Sequence, residues 1–318
     1  MLFKQLIVYG ILFMALTSFN SLPNKVANSP YIMILGYAQD AGYPHPGCNK
    51  ECCLQYYDGK EPKHYVSCIA LIDPVSHQRW MFDCTPDFPA QLHILDTSYP
   101  VEGKILDGIF LTHAHIGHYT GLMYLGRESL SAKGIPVYGE QDMMDFLKNN
   151  GPWSQLVKLK NIDLQTIKCD TAIKLNDRVS VTAFSVPHRA EYTKAVGYKI
   201  ACGGKSAIFI PDIDKWNKWD RDIVQLVKEN DYLFLDGTFF KNGEIKGRDM
   251  SEIPHPFIEE SMELFKNLSA KDKAKIHFIH LNHTNPALLH GSNARKEIET
   301  EGFKVVVEGE RFELGIKN

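Results

Sequence analysis

Gly108-Ile109-Phe110-Leu111-Thr112-His113-Ala114-His115-Ile116-Gly117-His118 is the stretch from which the fold can be read. Gly108 to Leu111 is an apolar run with the character of a buried strand, and it ends abruptly in three histidines. A helical pattern follows, from Tyr119 to Leu130. A strand end is a rigid platform, and side chains at i and i+2 can converge once the chain leaves the pleat. His118 then points from the turn toward the same space. Neutral imidazoles are good zinc or iron ligands near pH 7. A solvated His-rich loop is the plainer alternative; the metal site is the expectation carried forward.

The chain has 318 residues, of which 44% are hydrophobic and 11% aromatic, enough to bury a sizeable core. A net charge of -3, from 35 basic and 38 acidic residues, gives no electrostatic footprint for nucleic acid. A small-molecule substrate is therefore the expected partner. At the start of the chain, Lys4 precedes an apolar segment, Leu6 to Phe19, and the turn-prone Asn20-Ser21-Leu22-Pro23-Asn24. That layout is a secretory signal, residues 1–22, with an apolar stretch short for a bilayer span. It predicts export to a periplasmic or other extracytoplasmic compartment, with an uncleaved anchor as the alternative.

From Tyr31 onward short apolar runs alternate with amphipathic stretches. Strands are predicted at Tyr31–Leu35, Tyr65–Ile72, Trp80–Asp83, Ile109–Leu111, Val179–Val186, Ala195–Ala201, Ala207–Ile210, Tyr232–Leu235, Ile276–Leu281 and Phe303–Val307. Helices are predicted at Thr120–Leu130, Gln141–Lys148, Asp220–Lys228, Pro256–Leu268 and Asn293–Glu299. Many strands follow one another directly, so helices outside two sheets fit better than a singly wound parallel sheet. No linker divides residues 31–318, and Lys241 to Ile253 reads as a long loop at the rim of a site.

Several strands end in polar residues. Val181–Val186 runs into Pro187-His188-Arg189, Ala207–Ile210 into Pro211-Asp212, Tyr232–Leu235 into Asp236-Gly237-Thr238, and Ile276–Ile279 into His280-Leu281-Asn282-His283. One such ending would be weak evidence, since a His after a strand is commonly a capped or solvated residue. Four of them beside the His113 cluster predict a common floor of His and Asp.

That order, His-x-His-x-x-His followed by a His, an Asp and a His at strand ends, resembles the metallo-β-lactamase superfamily. Within it the chain looks most like the groups of pyrroloquinoline-quinone biosynthesis protein B (PqqB) and of PhnP. The resemblance spans about residues 31–318. It includes Ile34-Leu35-Gly36, Asp83-Cys84-Thr85-Pro86-Asp87 with Gln91, Gly121-Leu122-Met123 with Arg127-Glu128, Asp236-Gly237-Thr238-Phe239, and His280-Leu281-Asn282 with Thr284-Asn285-Pro286. It implies an α+β fold, a four-layer αββα sandwich. It also implies a first metal held by His113, His115 and His188, a second by His118 and His280, and Asp212 bridging the two. The ions would be one or two zinc, with iron or manganese as substitutes. Water activated between two such ions, about 3.5–4 Å apart, would attack an ester, lactone or phosphodiester. His255 falls where related hydrolases place a His near the substrate, as general acid or substrate contact; a surface His at a helix start is the alternative.

The family pattern has Asp between the second and third histidines, and here that position is Gly117. The missing carboxylate should weaken the second metal or change its identity, and it opens a further reading, a metal-binding protein of reduced activity. The PqqB likeness implies a different alternative, an iron- and oxygen-dependent oxidative enzyme. Seven cysteines stand at 48, 52, 53, 68, 84, 169 and 202, with no paired spacing of a disulfide framework. Cys68, Cys84 and Cys202 read as core. Likeness to the PhnP group makes Cys48, Cys52, Cys53 and His283 a closed structural zinc site. A disulfide from Cys48 and an exchange of His280 with His283 both stay open.

Overall fold

The computed structural model describes residues 28–189 and 191–315; the expected signal segment, residues 1–22, lies outside them. Fourteen strands occur among the described residues. They are β1 (Tyr31–Gly36), β2 (Cys68–Asp73), β3 (Gln78–Phe82), β4 (Gly108–Phe110), β5 (Ile135–Gly139), β6 (Ile162–Thr166) and β7 (Ala172–Lys174), then β8 (Val179–Val186), β9 (Ala195–Cys202), β10 (Lys205–Ile210), β11 (Tyr232–Asp236), β12 (Ile276–Ile279), β13 (Lys304–Val305) and β14 (Arg311–Glu313). They form two seven-stranded sheets, ordered β14-β1-β2-β3-β4-β5-β6 and β13-β12-β11-β10-β9-β8-β7.

Each sheet is antiparallel at one side and parallel at the other. The pairings fix where the strands end. β1, β3 and β4 run one way in the first sheet, against β2. β8, β10, β11 and β12 run together in the second, against β9. Their C-terminal ends deliver Asp40, Asp83, His113, His188, Asp212, Asp236 and His280, and the contacts described below bring these residues together.

Period-two alternation divides the first sheet's side chains between two cores. Ile32, Ile34, Ile69, Leu71, Trp80 and Phe82 face the second sheet. Tyr31, Met33, Leu35, Cys68, Ala70, Ile72 and Met81 face α2 (Phe88–Ser98), α4 (Gln141–Asn149) and α5 (Trp153–Lys158). α6 (Ile223–Glu229), α7 (Ile258–Leu264) and α8 (Asn293–Thr300) pack on the second sheet through Ile223, Val227, Ile258, Met262 and Ile298. The layers are helix, sheet, sheet, helix, as expected. Strands buried on both faces read as continuous apolar runs, which is why they were visible in the sequence.

Aromatic rings join the two sheets close to the His113 segment. Phe82 stacks on Phe110 at 4.9 Å and meets the Tyr198 ring edge-on at 5.4 Å. Such pairs add about 0.5–1.5 kcal/mol to simple burial. The Tyr198 hydroxyl donates to the Leu111 carbonyl at 2.5 Å, and Val196 N–H donates to Thr112 O at 3.1 Å. The second sheet therefore grips the first at the last residues before His113.

Three helices are shorter than predicted, and α6 begins at Ile223, after the Asp222 cap, rather than at Asp220. Thr120–Leu130 is instead α3 (Ile116–Tyr119) followed by a 3₁₀ turn, Thr120–Leu125. Gly121 lies so close to the Cys84 and Thr85 carbonyls that a side chain would collide with them, and its N–H donates to Cys84 O. That contact draws the turn tight. Pro256–Leu268 narrows to α7, where Glu260 accepts from Phe257 N–H at 2.9 Å and fixes the start. His255 thus stands before the helix. The loop from Lys241 to Ile253 covers its own small apolar cluster of Phe239, Met250, Ile253 and Phe257.

Candidate metal centre

β4 ends at Phe110, and Thr112 hands its hydroxyl to the Asp83 carboxylate at 2.9 Å. With its proton so committed, Thr112 Oγ1 accepts from His113 Nδ1 at 3.0 Å, leaving His113 Nε2 as the lone-pair nitrogen. His115 is turned the other way. Its Nε2 meets Glu191 at 3.0 Å, and its Nδ1 comes within 2.8 Å of His113 Nε2. His188, just beyond β8, places Nδ1 against Asp214 at 3.2 Å and Nε2 against Asp212 Oδ2 at 3.2 Å. Asp212 Oδ2 also lies 3.5 Å from His113 Nε2 and 4.0 Å from His115 Nδ1. One ligand atom from each of these four residues lies within 4.8 Å of the other three. Partners that hold the far ring nitrogen fix tautomer and aim, as metal-binding histidines require. Burial keeps His113 well below its ordinary pKa, so its imidazole is neutral. Burial opposes ionisation of Asp212, but His255 and His188 outweigh it and hold the carboxyl well below the usual range.

The second group adjoins the first, with the His113 and His118 rings 4.2 Å apart. His118 Nδ1 meets Asp83 at 2.7 Å, and His280 Nδ1 meets Thr238 Oγ1 at 3.0 Å, whose own proton goes to Asp236. Both Nε2 atoms therefore point inward. Asp40 Oδ1 lies 3.1 Å from His118 Nε2 and 3.6 Å from His280 Nε2. Asp40 Oδ1, His118 Nε2, His188 Nε2 and His280 Nε2 are buried without a hydrogen-bond partner among the described residues. Their polar neighbours are one another and Asp212, at ion-pair distances, and a cation placed among them would satisfy them together. The donor sets fit divalent zinc or iron. Asp83 and His280 carry φ values of 66° each, left-handed geometry for non-glycine residues, which costs of order 1 kcal/mol or more and clusters at functional sites.

Asp212 Oδ2 lies toward the first group, and its Oδ1, 3.1 Å from His255 Nδ1, is buried without a hydrogen-bond partner among the described residues. His255 is held by Asp236 at 2.8 Å, with Nδ1 also near Asp212. His255 is buried; desolvation disfavours its charge, but Asp212 and Asp236 overcome this and raise its pKa well above the ordinary value. The surface alternative for His255 does not hold.

The thiolates form a separate corner. Cys52 and Cys53 lie on α1 (Glu51–Tyr57), with Cys48 in the turn before it. Cys48, Cys52, Cys53 and His283 present ligand atoms within 4.8 Å of one another. All seven cysteines are free, and the Cys48 and Cys52 sulfurs are 3.7 Å apart, far beyond an S–S bond. Burial pushes the Cys53 thiol up to about 12 and pulls His283 down to about 4. His283 Nδ1 is another bare buried atom, and the exchange of His280 with His283 is thereby decided by position.

The histidines His113, His115, His118, His188, His255, His280 and His283, with Asp212 and Asp236, each fall in a group of converging ligand atoms. Asp40 and Asp83 were missed as site residues. Asp83 stood in a quoted motif without a role, and Asp40 sits in a turn after β1 with no spacing relation to His118. Tyr37, Tyr43, Tyr119, Phe239 and Phe240 are buried packing residues. Arg189 is exposed and lies 3.6 Å from Glu191.

The family profile described as the Beta-lactamase superfamily domain matches residues 78–278. Coenzyme PQQ synthesis protein B of Methylorubrum extorquens strain PA1 is 22% identical over 89% of this chain and all of its own length. The protein of that name from Gluconobacter oxydans is 25% identical, over 89% and 98%. Among solved structures, Zn(2+)-bound PqqB from Methylobacterium extorquens superposes with a TM-score of 0.76 at 22% identity, covering 89% of this chain and 100% of that one. A diphosphatase of the PhnP family gives 0.59 at 19% identity, covering 89% and 96%.

Proposed function

The chain belongs to the beta-lactamase superfamily, and from that membership we propose that it is a metal-dependent hydrolase of a small-molecule ester, lactone or phosphodiester. The observation that carries this reading is the convergence of His113, His115, His188 and Asp212, with each of the three histidines held from behind by a second residue. These four would hold one ion, and His118 and His280 would hold another beside it. Zinc in the solved Methylobacterium PqqB supports zinc as the resident metal. Divalent ions bound there supply Lewis acidity and a nucleophile from water at neutral pH.

The chain's own groups do the rest. Asp236 accepts the Nδ1 proton of His255 and fixes the ring, so that Nε2 is the nitrogen free to donate a proton to a leaving oxygen. Asp83 and Thr112 keep His113 and His118 in the tautomers that expose Nε2. Glu191 does the same for His115 in the opposite sense.

A panel of esters, lactones and phosphodiesters with the zinc-loaded protein tests the reading. Loss of Lewis-acid stabilisation worth several kcal/mol corresponds to a fall on the order of 10³-fold in kcat/KM for His113→Ala. Unchanged turnover in that variant would sink it. The matches to Coenzyme PQQ synthesis protein B along 89% of the chain favour a second reading, an iron- and oxygen-dependent oxidation. Iron in the isolated protein and oxygen uptake with a tyrosine-containing peptide, in place of hydrolysis, would select it.

A further inference from the structure

We propose that Asp40 is the carboxylate ligand of the second metal, standing in for the family's residue at position 117, and that Gly117 is glycine because the Asp40 backbone fills the space beside it. The inference rests on the metal-dependent reading above and concerns how this chain completes that site.

The first observation is aim. Asp40 Oδ1 is a bare buried oxygen 3.1 Å and 3.6 Å from two bare buried Nε2 atoms, those of His118 and His280. Three ligand atoms without hydrogen bonds converge from three separate segments. The second observation is exclusion. A Cβ built on Gly117 would lie 2.5 Å from Asp40 Cα and 2.9 Å from Asp40 Cβ. Gly117 lies in α3, in a backbone conformation open to any residue, so space rather than φ demands glycine. A clash with a Cα cannot be relieved by turning a side chain, so any residue larger than glycine must move the Asp40 segment.

The third observation is that this segment is pinned. Ala38 bridges both Val66 and Leu281, Gln39 N–H donates to Leu281 O at 2.8 Å, and Gly42 N–H donates to Gln39 O at 2.7 Å. Leu281 follows His280, so the turn carrying Asp40 is tied to the strand end carrying its partner ligand. The carboxylate has been moved from the helix that bears His118 to a turn fastened to His280. The missing Asp is a substitution of position, not a defect.

Titration of the metal-free protein with Zn²⁺ or Co²⁺, with ions counted by elemental analysis, tests this directly. Thiolate-to-cobalt absorption separates the Cys48 corner from the two imidazole sites. Asp40→Asn, close in shape, should keep the metal-free fold, read by circular dichroism, and weaken one imidazole-site ion by about 100-fold or more, since loss of an outer partner alone costs 10–100-fold. Gly117→Ala should lower the metal-free melting temperature and weaken the same ion. Undiminished affinity and stoichiometry in Asp40→Asn would overturn the ligand assignment. A Gly117→Ala protein that melts and binds like the parent would overturn the steric argument. If hydrolysis depends on His113 while Asp40→Asn keeps every ion, the inference falls and the hydrolase reading stands. If Asp40→Asn loses an ion and no hydrolysis depends on His113, the reverse holds.

Discussion

The imidazole floor and the thiolate corner are assembled on opposite principles. The floor draws ligand atoms from the ends of β1, β4, β8, β10 and β12, and most of its histidines are braced from behind by Asp83, Thr112, Glu191, Asp214 or Thr238. The corner takes three of its four ligands from residues 48–53 and only His283 from elsewhere. The floor is built by the fold. The corner is tied to the core through Cys53, in the same buried cluster as Leu281 and Leu288, and through the His45–His283 ring contact at 4.2 Å, so a cation there would add a staple between α1 and the segment after β12.

The largest effect expected from that difference is on stability. Cys53→Ser, or chelation of the corner metal, should cost several kcal/mol, because apparent binding energies of structural zinc reach about 10–16 kcal/mol in small domains. Thermal melting with and without chelator measures it; equal melting temperatures would show that the corner is not a staple. Filling the floor should change melting far less than activity, and His113→Ala is the matching probe there. Asp83→Asn comes next. It keeps the shape but loosens the tautomers of His113 and His118, and metal affinity should fall about 10–100-fold with little change in fold, read by competition with a chromophoric chelator.

Tyr198→Phe is smaller. Removing the hydroxyl that reaches Leu111 O should cost about 1 kcal/mol, seen as a shift in the denaturant midpoint without a change in slope. The smallest effect concerns Glu244, which joins the rim loop to the segment serving both regions by accepting from Phe240 N–H and from Thr284 Oγ1. Burial raises its pKa from 4.5 to about 7. The folded chain therefore holds a proton that the unfolded chain has lost, and Glu244's contribution to stability falls as pH climbs from about 4.5 through 7. Glu244→Gln should flatten that dependence, with amide exchange in residues 241–253 as the readout.

The same contrast explains what could be read from sequence. Strands buried on both faces and ending in His or Asp announced themselves, and β8 spans the predicted residues, Val179–Val186. Strands β5 and β6 escaped because Pro136, Asp163 and Gln165 break their apolar pattern. Helix α2 escaped because it begins at Phe88-Pro89 and shows little amphipathic bias. Ligand residue types were legible at strand ends, where local pattern and position coincide. Asp40 was not, because nothing local relates residue 40 to residue 118. Its one trace was negative: Gly117, where a carboxylate was expected.

The close approach of Asp40 to Gly117 also constrains how this chain can change. A side chain at 117 meets a backbone atom at 40, so no single substitution at either position carries the protein to the family's usual arrangement. An aspartate introduced at 117 collides before it can bind, and one removed from 40 leaves the site short of a ligand. The turn between β1 and α1 must first be rerouted, which makes the two arrangements separate peaks for mutation and selection rather than neighbours.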